Sequence, residues 1–326
     1  MGDKILITGI GGFVASHLAE YCLSQGDEVI GTYRWNEDLS RIKKIENKIK
    51  MVPADLLDLS SLIRVIADNK PQIISHLAAQ SFVPDSFSNP IVTVETNAVG
   101  TMNLLEAIRL IREYIDKNYD PVIHICSTSE IYGKVDEDEI PITEEHPMRP
   151  ANPYAIGKLG TDGAAYFYHK YYGFRIITTR MFTHCGVGRT MMSAENSFAK
   201  QIALIEKGKQ EPIVSHGNLD SVRTWADVRD AVKAYHQMFK FGKVGEVYNI
   251  GGNSVKTIGE MLDYLISLSP MKDKIRKQLD TKLVRVVDVN LQIVDISKFQ
   301  RDIPWVPEIS FEKLMQDLLN WWRDNV

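Results

Sequence analysis

Two residues four apart raise the question of chemistry in this 326-residue chain: Tyr154 and Lys158, in the run PYAIGK. On a helix this spacing puts both side chains on one face. An ammonium beside a phenol favours the phenolate, which turns a group of unperturbed pKa about 10 toward use as a base. The pair alone is a weak signal, because amphipathic helices contain it by chance. Its value comes from Ser127-Thr128-Ser129-Glu130-Ile131-Tyr132-Gly133, which ends the apolar run PVIHIC shortly before it. Two hydroxyls and a carboxylate delivered at the carboxyl end of a buried strand complete an acid/base cluster, at the edge where open α/β sheets bind ligands.

A second constellation opens the chain. Thr8-Gly9-Ile10-Gly11-Gly12-Phe13-Val14-Ala15 follows the β-branched run KILIT and leads into a helix. Gly9 permits a tight turn, Gly12 lets backbone amides approach a pyrophosphate, and Ala15 is small enough for close packing on a sheet. Phe13 and Val14 then stand in the first helical turn, whose partial positive charge suits phosphates. The second strand ends Thr32-Tyr33-Arg34 without an acid. An acid there binds a ribose 2′-hydroxyl and an Arg accommodates a 2′-phosphate, so Arg34 points to NADP, with NAD as the alternative. Asp55 and Leu56 are placed to contact the adenine, and Leu77 and Ala79, around the end of the fourth strand, join the cofactor set.

The elements that must position these residues alternate. Strands are expected at Lys4 to Thr8, Glu28 to Thr32, Met51 to Pro53, Ile73 to Leu77, Pro121 to Thr128 and Arg175 to Arg180. Helices are expected at Ala15 to Ser24, Leu59 to Asp68, Val94 to Tyr119 and Ala155 to Tyr172. Repeated strand, helix, strand means βαβ units, hence an α/β fold: a doubly wound parallel sheet of the Rossmann type with a smaller C-terminal α/β lobe. We expect a nucleotide-binding domain over 1–182, with 224–250 returning to it, and a substrate lobe over 183–223 and 251–326. Helices at Phe198 to Lys207, Thr257 to Leu268 and Phe311 to Asp324 belong to that lobe.

Composition narrows the classes further. The 38 Lys and Arg against 42 Asp and Glu are dispersed and net acidic, which argues against nucleic-acid binding. No window reaches the roughly 18 to 20 apolar residues of a membrane span, and the N-terminus lacks a secretory pattern. Cys22, Cys126 and Cys185 are too few and scattered for a disulfide framework or a zinc site, so a reducing cytoplasm is expected. Asp136 to Glu139 reads as a solvated loop and not a metal site. His124, His169 and His236 read as structural or exposed, and Trp321-Trp322 as a cap on the small lobe.

With the glycine turn, STSEIYG and PYAIGK quoted, the chain resembles the extended short-chain dehydrogenase/reductase superfamily over essentially its whole length. GKQEPI, HGNLDSVRTWADVRDAV and SFAKQI resemble its GDP-sugar branch, which comprises GDP-mannose 4,6-dehydratase and GDP-6-deoxy-4-keto-mannose reductase. The resemblance implies catalytic roles for Thr128, Glu130, Tyr154 and Lys158. It places Ser81 and Ser86 in a loop contacting substrate and cofactor, Ser129 beside the sugar, and Asn97 near the active site. Asn196, Lys200, Arg223 and Arg285 fall where the branch contacts the nucleotide and diphosphate, which cationic and forked donors suit. The Asn preceding His in the branch's F-N-H segment is Thr183 here, and Cys185 to Arg189 also departs from the branch. A homodimer or homotetramer through the helices Val94 to Tyr119 and Ala155 to Tyr172 is implied as well.

The implied reaction is a GDP-sugar 4,6-dehydration, on GDP-mannose, GDP-N-acetylglucosamine or a related GDP-hexose or heptose. Tyr154 takes the 4-hydroxyl proton with Lys158 assisting and Thr128 bonded to the C4 oxygen. The ketone acidifies C5–H, Glu130 removes that proton, and the 6-hydroxyl leaves as water. In dTDP-sugar relatives an Asp often stands where Ser129 is. A 4-keto reductase, a 4-dehydrogenase or an epimerase shares the fold, and a non-catalytic cofactor-binding scaffold is the remaining alternative.

Overall fold

The alternation of apolar side chains in the first strand already shows how the molecule layers. In a computed structural model describing residues 2–189, 191, 193–284 and 289–326, β1 (Lys4–Thr8) buries Ile5 and Ile7 on one face and Leu6 on the other. Successive strand side chains point to opposite faces, so both faces of this strand must be covered. The elements that follow are α1 (Phe13–Ser24), β2 (Glu28–Tyr33), β3 (Lys50–Pro53), α2 (Leu59–Asn69) and β4 (Ile73–His76). Next come α3 (Val83–Ser88), α4 (Pro90–Val94), a π-helical turn (Glu95–Val99), α5 (Gly100–Tyr114), β5 (Val122–Thr128) and α6 (Pro153–Tyr172). The second half holds β6 (Arg175–Met181), β7 (His184–Cys185), α7 (Ala194–Glu206), β8 (Ile213–His216), β9 (Val222–Asp227), α8 (Val228–Phe241) and β10 (Val247–Ile250). It ends with β11 (Ser254–Thr257), α9 (Ile258–Ser267), β12 (Arg276–Leu279), β13 (Leu291–Gln292), α10 (Ser297–Asp302) and α11 (Phe311–Asn325).

Seven strands form one parallel sheet in the order β10-β6-β5-β4-β1-β2-β3. Helices α1 and α8 cover one face, with Leu18, Cys22, Ala231, Tyr235 and Met238 in the core. Helices α2, α5 and α6 cover the other, with Leu62, Ile66, Leu104, Ile108 and Ala165. This is the doubly wound architecture, and its strand order reverses between β1 and β4, where a crevice opens at the carboxyl ends. A smaller four-stranded sheet, β11-β9-β13 with β7 beside β9, carries a separate core of Phe198, Ile202, Met261, Leu265, Leu314 and Leu318.

Two boundaries differ from the expectation. The helical run expected over Val94 to Tyr119 begins at Pro90 and ends at Tyr114. Asp116 stops it: its carboxylate accepts from Asn118 N at 3.1 Å and its carbonyl from Tyr119 N at 3.1 Å, a local turn that competes with the helix. The expected return of 224–250 splits, since α8 and β10 join the large sheet while β9 pairs within the small one. Phe299, Ile303 and Trp305, assigned to the lobe by sequence, pack in the large-sheet core beside α8.

Buried histidines cross-link the central strands. His76 meets the Thr8 hydroxyl at 2.9 Å and the Thr101 hydroxyl at 3.1 Å. His124 meets Ser75 at 3.0 Å and Thr179 at 2.9 Å. On the other side His236 Nε2 lies 2.8 Å from Asp27 Oδ2, with Cys22 in the same buried group.

Burial lowers the pKa of both His76 and His124 to about 3, whereas an unfolded histidine titrates near 6.5. Between those values the unfolded chain binds more protons, so stability is lost as pH falls through that window. Urea midpoints are therefore expected to decline from about pH 6.5 to 5, by up to about 1.4 kcal/mol per pH unit for each histidine. His124→Gln is expected to flatten that slope; a slope parallel to wild type would remove His124 as a source.

Candidate active site

Strand β5 ends in Thr128, and the chain turns at once into a short 3-10 segment, Ser129–Tyr132, whose second N–H is capped by the Thr128 hydroxyl (Glu130 N to Oγ1, 3.3 Å). This turn aims Glu130 at the start of α6. That helix begins where Asn152 caps it, Oδ1 accepting from Ala155 N at 2.8 Å, with Pro153 at the first helical position. With its oxygen committed to the cap, the Asn152 amide nitrogen faces outward and donates to Glu130 Oε2 at 3.1 Å. A second amide, Gln292 Nε2, donates to the other carboxylate oxygen at 3.3 Å.

Tyr154 and Lys158 follow on one face of α6, both buried. Burial pushes the Tyr154 phenol up and the Glu130 charge adds to this, while a hydrogen bond from Thr128 and the Arg189 charge pull it down. Burial also pulls the Lys158 ammonium below its usual value. Lys158 Nζ donates to the Cys126 carbonyl. Thr128, Glu130 and Tyr154 thus come together as the sequence pattern implied, with Lys158 anchored one helical turn along.

A buried ion pair holds the two halves of this cluster. Arg180 on β6 grips Asp162 of α6 through two bonds, 3.0 and 3.1 Å, and donates to the Tyr132 hydroxyl at 3.0 Å and the Glu144 carbonyl at 2.9 Å. Tyr132 in turn donates to Asn249 of β10 at 2.7 Å. Helix, catalytic turn and sheet edge are therefore tied at one guanidinium.

The glycine turn has the form a dinucleotide phosphate requires. Gly9 has φ of +69°, and a Cβ there would lie 2.9 Å from Ala78 Cα. Helix α1 starts at Gly12 without a side-chain cap, leaving the first-turn N–H groups of Phe13 and Val14 for an anion. Gln80 Oε1, beyond the end of β4, and Ser127 Oγ, in the last residues of β5, are buried polar atoms that lack a partner among the described residues. These features fit a bound dinucleotide. Leu77 and Ala79 flank Ala78 at the end of β4, half-buried. Leu56 is buried beside α5, and exposed Asp55 receives Leu57 N at 2.9 Å. Arg34 is exposed at the end of β2, where its N–H, rather than its guanidinium, bonds Glu37 at 2.9 Å.

Other expected ligands are distributed unevenly. Ser81 is exposed after β4, and Ser129 is buried with its hydroxyl donating to Gln292 Oε1 at 3.3 Å. Arg223 stands on β9, half-turned to the Val222 and Asn290 carbonyls, and Lys200 lies over the Trp322 ring. Two residues are engaged within the protein. The Ser86 hydroxyl is buried and donates to Val83 O at 2.7 Å, closing its own short helix. Asn196 is buried and receives Trp322 Nε1 at 3.1 Å, so its amide fixes α11 in the lobe core. Arg285 lies outside the described residues. Asn97 sits in the π turn, bonded on both amide atoms to the Gln80 backbone at 2.8 and 3.0 Å.

Four contributors were missed. Asn152 carried a readable signal, an Asn-Pro helix start. Gln292, Arg189 and Arg41 carried none; Arg41 spans from the Gly188 carbonyl (2.7 Å) to Gly11 O (3.3 Å) beside the phosphate turn.

Arg34→Ala is expected to weaken NADPH binding about ten-fold or more, the loss of one charge-assisted bond, and to leave NADH binding unchanged. Fluorescence titration with both nucleotides measures this, and equal losses for the two would take Arg34 away from the 2′-phosphate.

The family model described as GDP-mannose 4,6 dehydratase matches residues 6–318. The dTDP-glucose 4,6-dehydratase of Haemophilus influenzae is 31% identical, over 99% of this chain and 98% of its own length. Among solved structures, RMD from Pseudomonas aeruginosa complexed with NADPH is similar at a TM-score of 0.81 and 26% identity, covering 99% of this chain and 100% of that one. The dTDP-glucose 4,6-dehydratase from Bacillus anthracis in complex with NAD reaches 0.82 at 26% identity, over 99% and 97%. Matched along nearly its whole length, with the glycine turn and the Thr-Glu-Tyr-Lys cluster in one crevice, the chain belongs to the extended short-chain dehydrogenase/reductases, in the family of GDP-mannose 4,6-dehydratase.

Proposed function

We propose that the protein is an NADP-dependent GDP-sugar 4,6-dehydratase, NAD being the alternative cofactor, acting in the cytoplasm. The observation that carries this reading is the Glu130 carboxylate, held by two amide donors beside the Thr128–Tyr154 pair. A plain reductase needs the Tyr, Lys and Thr set alone; a fixed carboxylate adds a second base. The family match supports the GDP nucleotide, and Ser129 in place of an acid agrees with that branch.

Phe13, Val14 and the glycines would hold the cofactor's pyrophosphate, Arg34 its 2′-phosphate, and Tyr154 and Lys158 its reactive end. When bound, the nicotinamide supplies oxidation at C4 and reduction at C6, so no external reductant is consumed. Tyr154 as phenolate takes the 4-hydroxyl proton, and Thr128 donates to the C4 oxygen. The ketone formed acidifies C5–H. Glu130 removes that proton and hands it to the departing 6-hydroxyl, which leaves as water. Arg223 and Lys200 would pair with the diphosphate, and burial of Tyr154 and Lys158 keeps bulk water from the proton transfers.

The test is incubation with GDP-mannose, GDP-N-acetylglucosamine, and UDP- and dTDP-sugars without added reductant. A 4-keto-6-deoxy product from a GDP-sugar is expected. Product formed only with stoichiometric NADPH consumption indicates a reductase, and turnover of the dTDP-sugar alone moves the nucleotide assignment. Glu130→Gln is expected to retain C4 oxidation and to lose water elimination by at least 10²-fold, in the range of a removed general base; full dehydration by this variant would end its role.

We infer a homodimer through α4, α5 and α6. Ile91, Val92, Met102, Ile156 and Phe167 are exposed along these helices and Val99 in the π-helical turn between α4 and α5, apolar side chains that an interface would cover. Sedimentation is expected to give a dimer or its tetramer, and Phe167→Glu to weaken it; a wild-type monomer at assay concentration would exclude this interface.

A further inference from the structure

Gln292 lies 162 residues from Glu130 in the chain, yet its side chain is the link between the small lobe and the catalytic turn. It is buried, and both ends of its amide are used: Oε1 accepts from the Ser129 hydroxyl at 3.3 Å and Nε2 donates to Glu130 Oε1 at 3.3 Å. The carboxylate decides the amide's orientation, because it takes the NH2 and leaves Oε1 to the Ser129 hydroxyl, which can turn to donate. A carboxylate accepts only, so the same orientation satisfies both neighbours.

The strand carrying Gln292 is held from two sides. Along β9 it pairs Leu291 with Val222 and Gln292 with Arg223. On the other side Ile142 N donates to Ile293 O at 2.8 Å and Asp295 N to Ile142 O at 2.9 Å. The backbone under Gln292 therefore cannot shift without breaking pairing on both flanks. Arg223, the diphosphate candidate, is its direct cross-strand partner, so the strand pair that would seat the substrate's nucleotide end also sets the carboxylate.

The geometry points to Gln292 as a positioning residue: with Asn152 on the opposite oxygen, it holds the Glu130 carboxylate in a two-amide clamp and couples its aim to the substrate-binding lobe. The inference rests on the reading of Glu130 as the base at C5. The amide acts through the Glu130 carboxylate. Its effect is confined to the step that needs the carboxylate.

Gln292→Met keeps the length and removes both polar atoms. With the GDP-sugar turned over by wild type, KM and the transient reduction of bound cofactor are expected within about two-fold. Exchange of the C5 proton with solvent deuterium, and water loss, are expected to fall about ten-fold or more, the scale of a hydrogen bond to a charged group. Water loss at the wild-type rate, or equal losses in C4 oxidation and elimination, overturns the clamp. A thermal unfolding cycle tests the contact without turnover. Gln292→Met should lower Tm more in the wild-type background than in Glu130→Ala, and equal shifts in both backgrounds overturn the clamp whatever the reaction. Unequal shifts beside a wild type that dehydrates none of the sugars overturn only the dehydratase reading.

Discussion

The Arg180–Asp162 pair is the contact on which the catalytic geometry depends. Tyr154 and Lys158 ride on α6, whereas Glu130 rides on the turn after β5, and the guanidinium adds a buried charged tie to the Asn152–Glu130 and Lys158–Cys126 bonds between them. Arg180 binds Asp162 one helical turn beyond Lys158, and the same guanidinium holds Tyr132 two residues beyond Glu130. Both charges are almost wholly buried, at 4% and 7% side-chain exposure. Removing one partner of such a pair typically costs about 3 to 5 kcal/mol, because it strands the other charge out of water.

Around this anchor the site is assembled from groups that serve structure and chemistry together. Asn152 caps α6 and, because its oxygen is occupied, presents its nitrogen to Glu130. Thr128 caps the following turn with a hydroxyl that also draws the Tyr154 phenol's pKa down. The cofactor end follows the same economy of parts: a helix start left uncapped is a defect in a structural helix and an anion site at the crevice of a parallel sheet.

Much of this was legible in the residues. The strand, glycine turn and helix at residues 4 to 24 carry their own local signals, as does the helix start at Asn152-Pro153. The carboxyl end of β5 was readable because its apolar run stops at Ser127. Less legible was whether a polar side chain faces the crevice or its own neighbours. Ser86 and Asn196 have the chemistry of ligands, and the fold uses both internally, one to close a helix turn and one to hold an indole. The end of α5 was misjudged because apolar periodicity continues past Asp116, while the side chain there favours a turn.

By itself the sequence determined the βαβ order and the phosphate turn, and it set Thr128, Glu130, Tyr154 and Lys158 at the end of one strand and the start of the next helix, because each of these depends on spacings of a few residues within one element or across one turn. Only the tertiary structure decided that Lys158 bonds the Cys126 carbonyl, that Arg180 joins helix to turn, and that Gln292 reaches Glu130. Those contacts join segments 18 to 162 residues apart, whose approach is set by sheet order and strand register, properties that no local pattern of side chains encodes.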